Sequence, residues 1–287
     1  MNATKPVARI LLLAMVVFTP GMLATAEIVH FADPAVEAAV REELGRPSPM
    51  LLTSSHLLDL RKLDVWLSDA ESLDGMEYAL NLRVMVTPYN RISDLTPLRG
   101  LTDLHWLVLH SNHVEDVSPL SSLTTLERLY LGANDITDIS SLSSLTELRI
   151  LELDDNRIED ISALAHMPKL ESLNAGENRI SDITPLGSPR GLSVLYLNDN
   201  LIEDISPLLT SATTGRLRYL DLRGNPLNEE AYTTHLPFIE ANNPDATILY
   251  DPVPEPVALS TMLMSALMLL RRKKPHAVRN PKTKSQT

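Results

Sequence analysis

A chain of 287 residues can form one large domain or two small ones, so length alone leaves the organisation open. It has no cysteine, which removes disulfides, thiolate nucleophiles and cysteine-ligated metals, and aromatics are only 4% of it, so the core must be tiled by aliphatic side chains. The net charge of −12 is unevenly spread: between Glu27 and Val253 stand 36 acids and 16 bases, about −20, while both ends are basic, and such a surface repels nucleic acid and anionic membranes.

The first 26 residues read as a secretory signal peptide. Lys5 and Arg9 supply the basic start, Ile10 to Phe18 is an unbroken apolar run, and Ala24-Thr25-Ala26 offers small residues for cleavage. An N-terminal helical cap is expected over 27–59. Asp33-Pro34 opens a helix with an acid at the cap and proline in the first turn, Val36, Ala39, Val40 and Leu44 share one face, and Gly45 closes it. A second short helix is expected from about Thr53, carrying Leu57 and Leu58.

From residue 60 to 227 the chain repeats itself. Asn90, Asn112, Asn134, Asn156, Asn178 and Asn200 follow one another at intervals of 22 residues. Apolar residues stand eight, five and three positions before each, as in Leu104, Leu107 and Leu109 before Asn112, save for Thr87 three before Asn90. A degenerate first unit has Leu60, Leu63 and Val65 with Ser68 in the asparagine position, and a last unit ends on Asn225 after three extra residues. Eight units result. None can bury its apolar side alone, so the units must stack and the terminal ones must be capped. In a strand of this pattern the leucines point into the coil, and the asparagine turns inward to satisfy backbone groups that water does not reach. Asp94, Asp116, Asp138, Asp160, Asp182 and Asp204 recur four residues after the asparagines and read as caps for the short helical turns that follow.

The L-x-x-L-x-L-x-x-N pattern over Leu60 to Asn225 resembles the 22-residue leucine-rich repeats of bacterial internalins. The resemblance implies an α/β leucine-rich-repeat solenoid, curved, with a parallel β-sheet on the concave face, short 3-10 or irregular turns on the convex face, and a helical cap at the N-terminus. A C-terminal cap is expected over 228–250, with Asn228 capping a helix through Tyr232 that Pro237 interrupts, and Thr247 to Tyr250 as a closing strand.

Beyond residue 250 the pattern changes. Asp251 to Pro256 is a stiff proline-rich linker, 257–270 is a short apolar segment, and 271–287 is a basic tail opening with Arg271-Arg272-Lys273-Lys274. Fourteen apolar residues make about 21 Å of helix, short of the ~20 residues that span a bilayer unless flanking bases snorkel. Pro254-Glu255-Pro256, the apolar segment and Arg271-Arg272 in this order resemble the PEP-CTERM sorting tail of Gram-negative bacteria, departing from it in the thirteen residues after the basic block. That resemblance implies an exosortase-type processing enzyme as a partner, a membrane-anchored stage at the inner membrane, and a final place at the cell envelope or outer surface.

Residues between the leucines point out of the concave face and vary from unit to unit, as a binding surface would. Tyr89, His105, Trp106, His110 and Tyr130 form an aromatic group suited to a protein or carbohydrate partner. Glu152, Asp154, Asp155, Glu171, Glu177 and Asp199, with Tyr196 among them, form an acidic one that could meet a basic partner, hold Ca²⁺, or stay a solvated face. His105, His110 and His113 fall on different parts of the turn, which disfavours zinc. No G-x-S-x-G, H-E-x-x-H, phosphate-binding glycine loop or EF-hand loop occurs, so no enzyme, cofactor or nucleic-acid partner is expected. Two readings remain: a binding module at the cell envelope, or a spacer in an extracellular matrix without a single ligand.

Overall fold

The computed structural model describes residues 26–209 and 215–253. The expected signal peptide, apart from Ala26, and the Pro254-Glu255-Pro256 motif with the apolar and basic segments behind it lie outside the described residues. Among the described residues no helix is long and apolar enough to cross a membrane.

The chain enters through α1 (Pro34–Glu43). Asp33 accepts from the N–H of Ala35 at 2.8 Å and of Val36 at 3.3 Å, while its second oxygen accepts from Glu71 N–H at 2.9 Å. One carboxylate thus caps the helix and ties it to the first coil. Val36 and Val40 are fully buried, and Gly45, with φ of 62°, ends the helix as left-handed glycines do. The second helix, α2 (Ser54–Leu57), starts behind Thr53 and buries Leu57.

Nine strands follow, each of three residues, in one parallel sheet whose spatial order is the order in the chain. They are β1 (Lys62–Asp64), β2 (Val84–Val86), β3 (Trp106–Val108), β4 (Arg128–Tyr130), β5 (Ile150–Glu152), β6 (Ser172–Asn174), β7 (Val194–Tyr196), β8 (Tyr219–Asp221) and β9 (Thr247–Leu249). The register is the sequence repeat itself. Leu63, Met85, Leu107, Leu129, Leu151, Leu173, Leu195 and Leu220 stand side by side, and all are fully buried. Behind β1 to β7 the chain returns through a short 3-10 turn, from Met76–Tyr78 to Ser206–Leu209. Strands lie about 4.8 Å apart. The sheet is therefore the tight side of the coil, and its outer surface is concave.

The asparagines bind consecutive coils together. Asn156 Nδ2 donates to Leu153 O at 3.0 Å and Asp154 O at 3.1 Å in its own coil, and to Leu131 O at 3.0 Å in the coil before. Its Oδ1 accepts from Ile136 N–H, also in the coil before, at 3.0 Å. Asn112, Asn134, Asn178, Asn200 and Asn225 repeat the set. Asn90 serves the degenerate first coil, accepting from the N–H groups of Ser68 and Ala70 at 3.1 Å each. The aspartates four residues on accept from the N–H two residues ahead, as Asp94 does from Thr96 and Asp138 from Ser140. These bonds hold the carboxyls of Asp94, Asp138, Asp182 and Asp204 below the ordinary aspartate range.

The C-terminal cap differs from expectation at one point. Asn228 Oδ1 accepts from Ala231 N–H at 2.9 Å, but Pro237 does not interrupt the helix. The backbone widens into a π-turn over Ala231–His235 and passes directly into α3 (Leu236–Asn242), with Pro237 in its first turn. Proline has no N–H to give, and its ring crowds the carbonyl a turn earlier; the wider turn accommodates both. β9 then closes the sheet on β8, and Asn243 Oδ1 accepts from Leu217 N–H at 3.0 Å.

Candidate functional site

The concave surface is built from positions that alternate with the buried leucines. One column runs Val84, Trp106, Arg128, Ile150, Ser172, Val194, Tyr219, and a second runs Val86, Val108, Tyr130, Glu152, Asn174, Tyr196, Asp221, each residue paired with the next across the sheet. All but the last are exposed or half-buried; Asp221 is buried. It receives the guanidinium of Arg223 at 2.5 and 2.9 Å. Burial pushes its carboxyl up, the Arg223 hydrogen bonds and charge pull it down, and the net is a lowered pKa.

In the first half the aromatic candidates come together. The Trp106 and Tyr130 rings lie 6.4 Å apart, the Arg128 guanidinium sits 5.4 Å from the Trp106 ring, and Tyr89 meets His110 edge-on at 5.6 Å. Trp106 is exposed with Arg128 stacked on it, which leaves a broad amphipathic surface open to solvent. Burial, and then the charge of Glu152, raise the Tyr130 hydroxyl pKa above the ordinary value. His105 stands apart, its Nδ1 against Asp103 O at 2.6 Å. His113 follows the ladder asparagine in the turn and is exposed.

The acidic group is uneven. Glu171 is drawn off by Arg149, so it does not add to a free carboxylate cluster. No salt bridge among the described residues joins Glu152, Asp154, Asp155, Glu177 or Asp199 to a base; the bases of these coils are engaged elsewhere, as Arg157 with Asp135 and Lys169 with Glu147, each at 2.5 Å. Asp154 and His110 converge on Gly132, where a Cβ would meet Asp154 Oδ1 at 2.5 Å and His110 Nδ1 at 2.8 Å. Asp154 Oδ1 is buried there without a hydrogen-bond partner. Burial raises the carboxyls of both Glu152 and Asp154; Asp154 adds to the rise at Glu152, while at Asp154 its own backbone hydrogen bond and the charge of His110 oppose burial and Asp155 adds a little to it. Further along, Tyr196 packs on Tyr219 with ring centres 4.6 Å apart. Among the described residues no three His, Asp or Glu side chains are placed to hold a metal ion.

Two side chains escaped the sequence reading. Trp66 is 57% exposed and Leu67 74% exposed, beside Tyr89 at 49%. They stand two and one positions before Ser68, the offsets that His110 and Ser111 have before Asn112. Applying the register to the degenerate first unit would have found them.

Residues 124–166 and 168–210 match the family model described as Leucine Rich repeats (2 copies). No curated protein matches the chain in sequence. Among solved structures, internalin C2 from Listeria monocytogenes is similar at 29% identity and a TM-score of 0.71, covering 80% of this chain and 100% of that one. A leucine-rich-repeat protein from Leptospira interrogans is similar at 18% identity and a TM-score of 0.56, over 69% of this chain and 56% of that one. The 22-residue period, the parallel sheet, the asparagine ladder and the two-copy match give this chain a leucine-rich-repeat solenoid fold similar to that of internalin C2.

Proposed function

We propose that the protein is a non-enzymatic binding module that is exported, sorted at the cell envelope, and grips a protein partner through its concave face. The observation that carries this reading is the aromatic group at the first coils, where Trp106, Arg128, Tyr130, Tyr89 and His110 gather on a rigid sheet and stay open to solvent. Large, stiff side chains with polar tips lose little conformational entropy on binding and dominate protein interfaces. The sheet beneath them is fixed by the ladder, so the surface is preorganised. The same rings would also stack on sugars, which keeps a carbohydrate partner as the competing ligand class. Export and sorting rest on the leader and on the Pro254-Glu255-Pro256, apolar and Arg271-Arg272 segments. An exosortase-type enzyme would be the processing partner.

The test compares wild type with Trp106→Ala/Tyr130→Ala for capture of proteins from the envelope and secreted fractions of its own cells. Loss of a specific captured protein, with circular dichroism and Tm retained, is the expected result. Identical capture by both forms would remove the concave face as the binding surface. Capture that free oligosaccharide abolishes would assign the site to a glycan.

A further inference from the structure

The residue before each ladder position turns the chain off the strand in a left-handed conformation, with φ from 47° at Leu67 to 70° at Gly224. Glycine and asparagine suit such a corner, and bulky side chains do not. The middle coils fill it with small or polar residues, Ser111, Ala133 and Asp155 among them. The first two coils instead place Leu67 and Tyr89 there, and both project into solvent. With Trp66 they form an apolar patch on the rim of the concave face. Large apolar side chains held in an unfavourable backbone conformation, and contributing little to the core, mark a surface that something else covers.

We propose that the covering partner is a polypeptide segment with a bulky apolar anchor and a run of lysine or arginine, laid lengthwise across the strands. The anchor seats on Trp66, Leu67 and Tyr89, and the basic run lies over Glu152, Asp154, Asp155 and Glu177. This rests on the concave-face reading above and adds a chemistry and a direction to it. Charge complementarity sets the basic half: among the described residues no salt bridge joins Glu152, Asp155 or Glu177 to a base, and Asp154 has the electrostatic pull of His110 beside it. Spacing sets the geometry. From Leu67 to Asp155 is four coils, about 19 Å at the inter-strand distance, which about six extended residues cover. A glycan would account for the aromatic end and not for the acidic one. A second copy would bring its own excess of acids against the first.

The experiment selects a random displayed-peptide library on the full chain at physiological salt. Enriched peptides are expected to share a Trp, Phe or Leu with Lys or Arg five to seven residues away on one side only, at the reach set by strand geometry. Leu67→Asn/Tyr89→Asn should weaken a selected peptide about tenfold or more while Tm holds or rises, because asparagine accepts the left-handed corner. Glu152→Gln/Asp154→Asn/Asp155→Asn should weaken it similarly and flatten its salt dependence. Neutral or acidic winners that lose binding in Trp106→Ala would overturn this proposal and leave the concave-face reading standing. Winners indifferent to every concave substitution would overturn both. Absence of any enrichment would overturn the proposal as well.

Discussion

Asn156 shows what one side chain does in this protein. Its amide makes four hydrogen bonds to backbone groups, two of them in the preceding coil, and the residue is 9% exposed. Asn156→Ala leaves those groups buried and unpaired, and should lower stability by about 1–3 kcal/mol in urea titration. Glu159→Ala is the control: Glu159 is highly exposed and reaches Arg179 only at 3.9 Å, so its loss should be nearly neutral. Equal effects would mean the ladder does not couple the coils. Glu152 and Asp154 make a different residue-scale prediction. Both carboxyls are raised in the folded state by burial first, so folding binds their protons more tightly than the unfolded chain does. Their contribution to stability is fully present below the ordinary carboxyl pKa of about 4 and is lost as pH rises through the folded values. Glu152→Gln should therefore raise Tm at pH 7 and leave it unchanged below about pH 4. Asp138 runs the other way. Its pKa is lowered by hydrogen bonds from Ser140, so its contribution is present above the ordinary value and is lost as pH falls through the folded one. A Glu152→Gln protein no more stable than wild type at neutral pH would show that solvent, not burial, governs this carboxylate.

At the scale of the element, the corner after each strand is set by the backbone and only tolerated by the side chain. Ala133 has φ of 52° and is half-buried. Ala133→Val puts a branched carbon against the backbone there and should cost about 1–2 kcal/mol, whereas Thr137→Val, on an exposed loop of the same coil, should be nearly silent. Comparing the two chemical denaturation midpoints checks it, and similar midpoints would show that these corners carry no strain. Such corners also explain what could be read in the chain and what could not. The strands, their register and the buried leucines were legible because the 22-residue period is the register. The first helix was legible because Asp33, Pro34 and Gly45 are local signals. The π-turn before Pro237 was not, since a proline in the sequence signals a break and does not say how the backbone will absorb it. Trp66 and Leu67 lay within reach of the same register, with Ser68 in the asparagine position, but their exposure is a three-dimensional fact that apolar side chains do not announce. The aromatic half of the candidate site followed from column and spacing alone. The state of the acidic half did not, because Arg149 takes Glu171 across one coil while Glu152 is left bare, and that choice is made in three dimensions.

Across the whole solenoid, the described coils are joined through their neighbours. Each strand pairs only with the strands before and after it, and the ladder bonds reach back one coil and no further. Serine and threonine on the convex side add the same step, Ser144 Oγ donating to Ser121 O and Thr125 Oγ1 to Thr102 O, each at 2.6 Å. Stability is then a sum of coils and the interfaces between them, with the two caps covering the ends. Removing residues 134–155 excises one whole period and joins Ala133 to Asn156, so every leucine, asparagine and corner keeps its partner type. That protein should fold cooperatively, with a lower Tm and a smaller urea m-value in proportion to the surface lost. Removing residues 134–153 joins Ala133 to Asp154, so an aspartate pair is inserted between the β4 strand and Asn156 and carries the ladder asparagine two positions off the strand it must close. That protein should lose its cooperative transition. The shorter deletion is the more disruptive only if register, and not the amount of core, holds the solenoid together. Excising residues 134–155 also removes Glu152, Asp154 and Asp155 and leaves Glu177 as the remaining carboxylate of the proposed basic contact. A peptide selected on the wild-type surface should then bind the excised form about tenfold or more less tightly and with a flatter salt dependence, and undiminished affinity would show that the basic run does not lie over these coils.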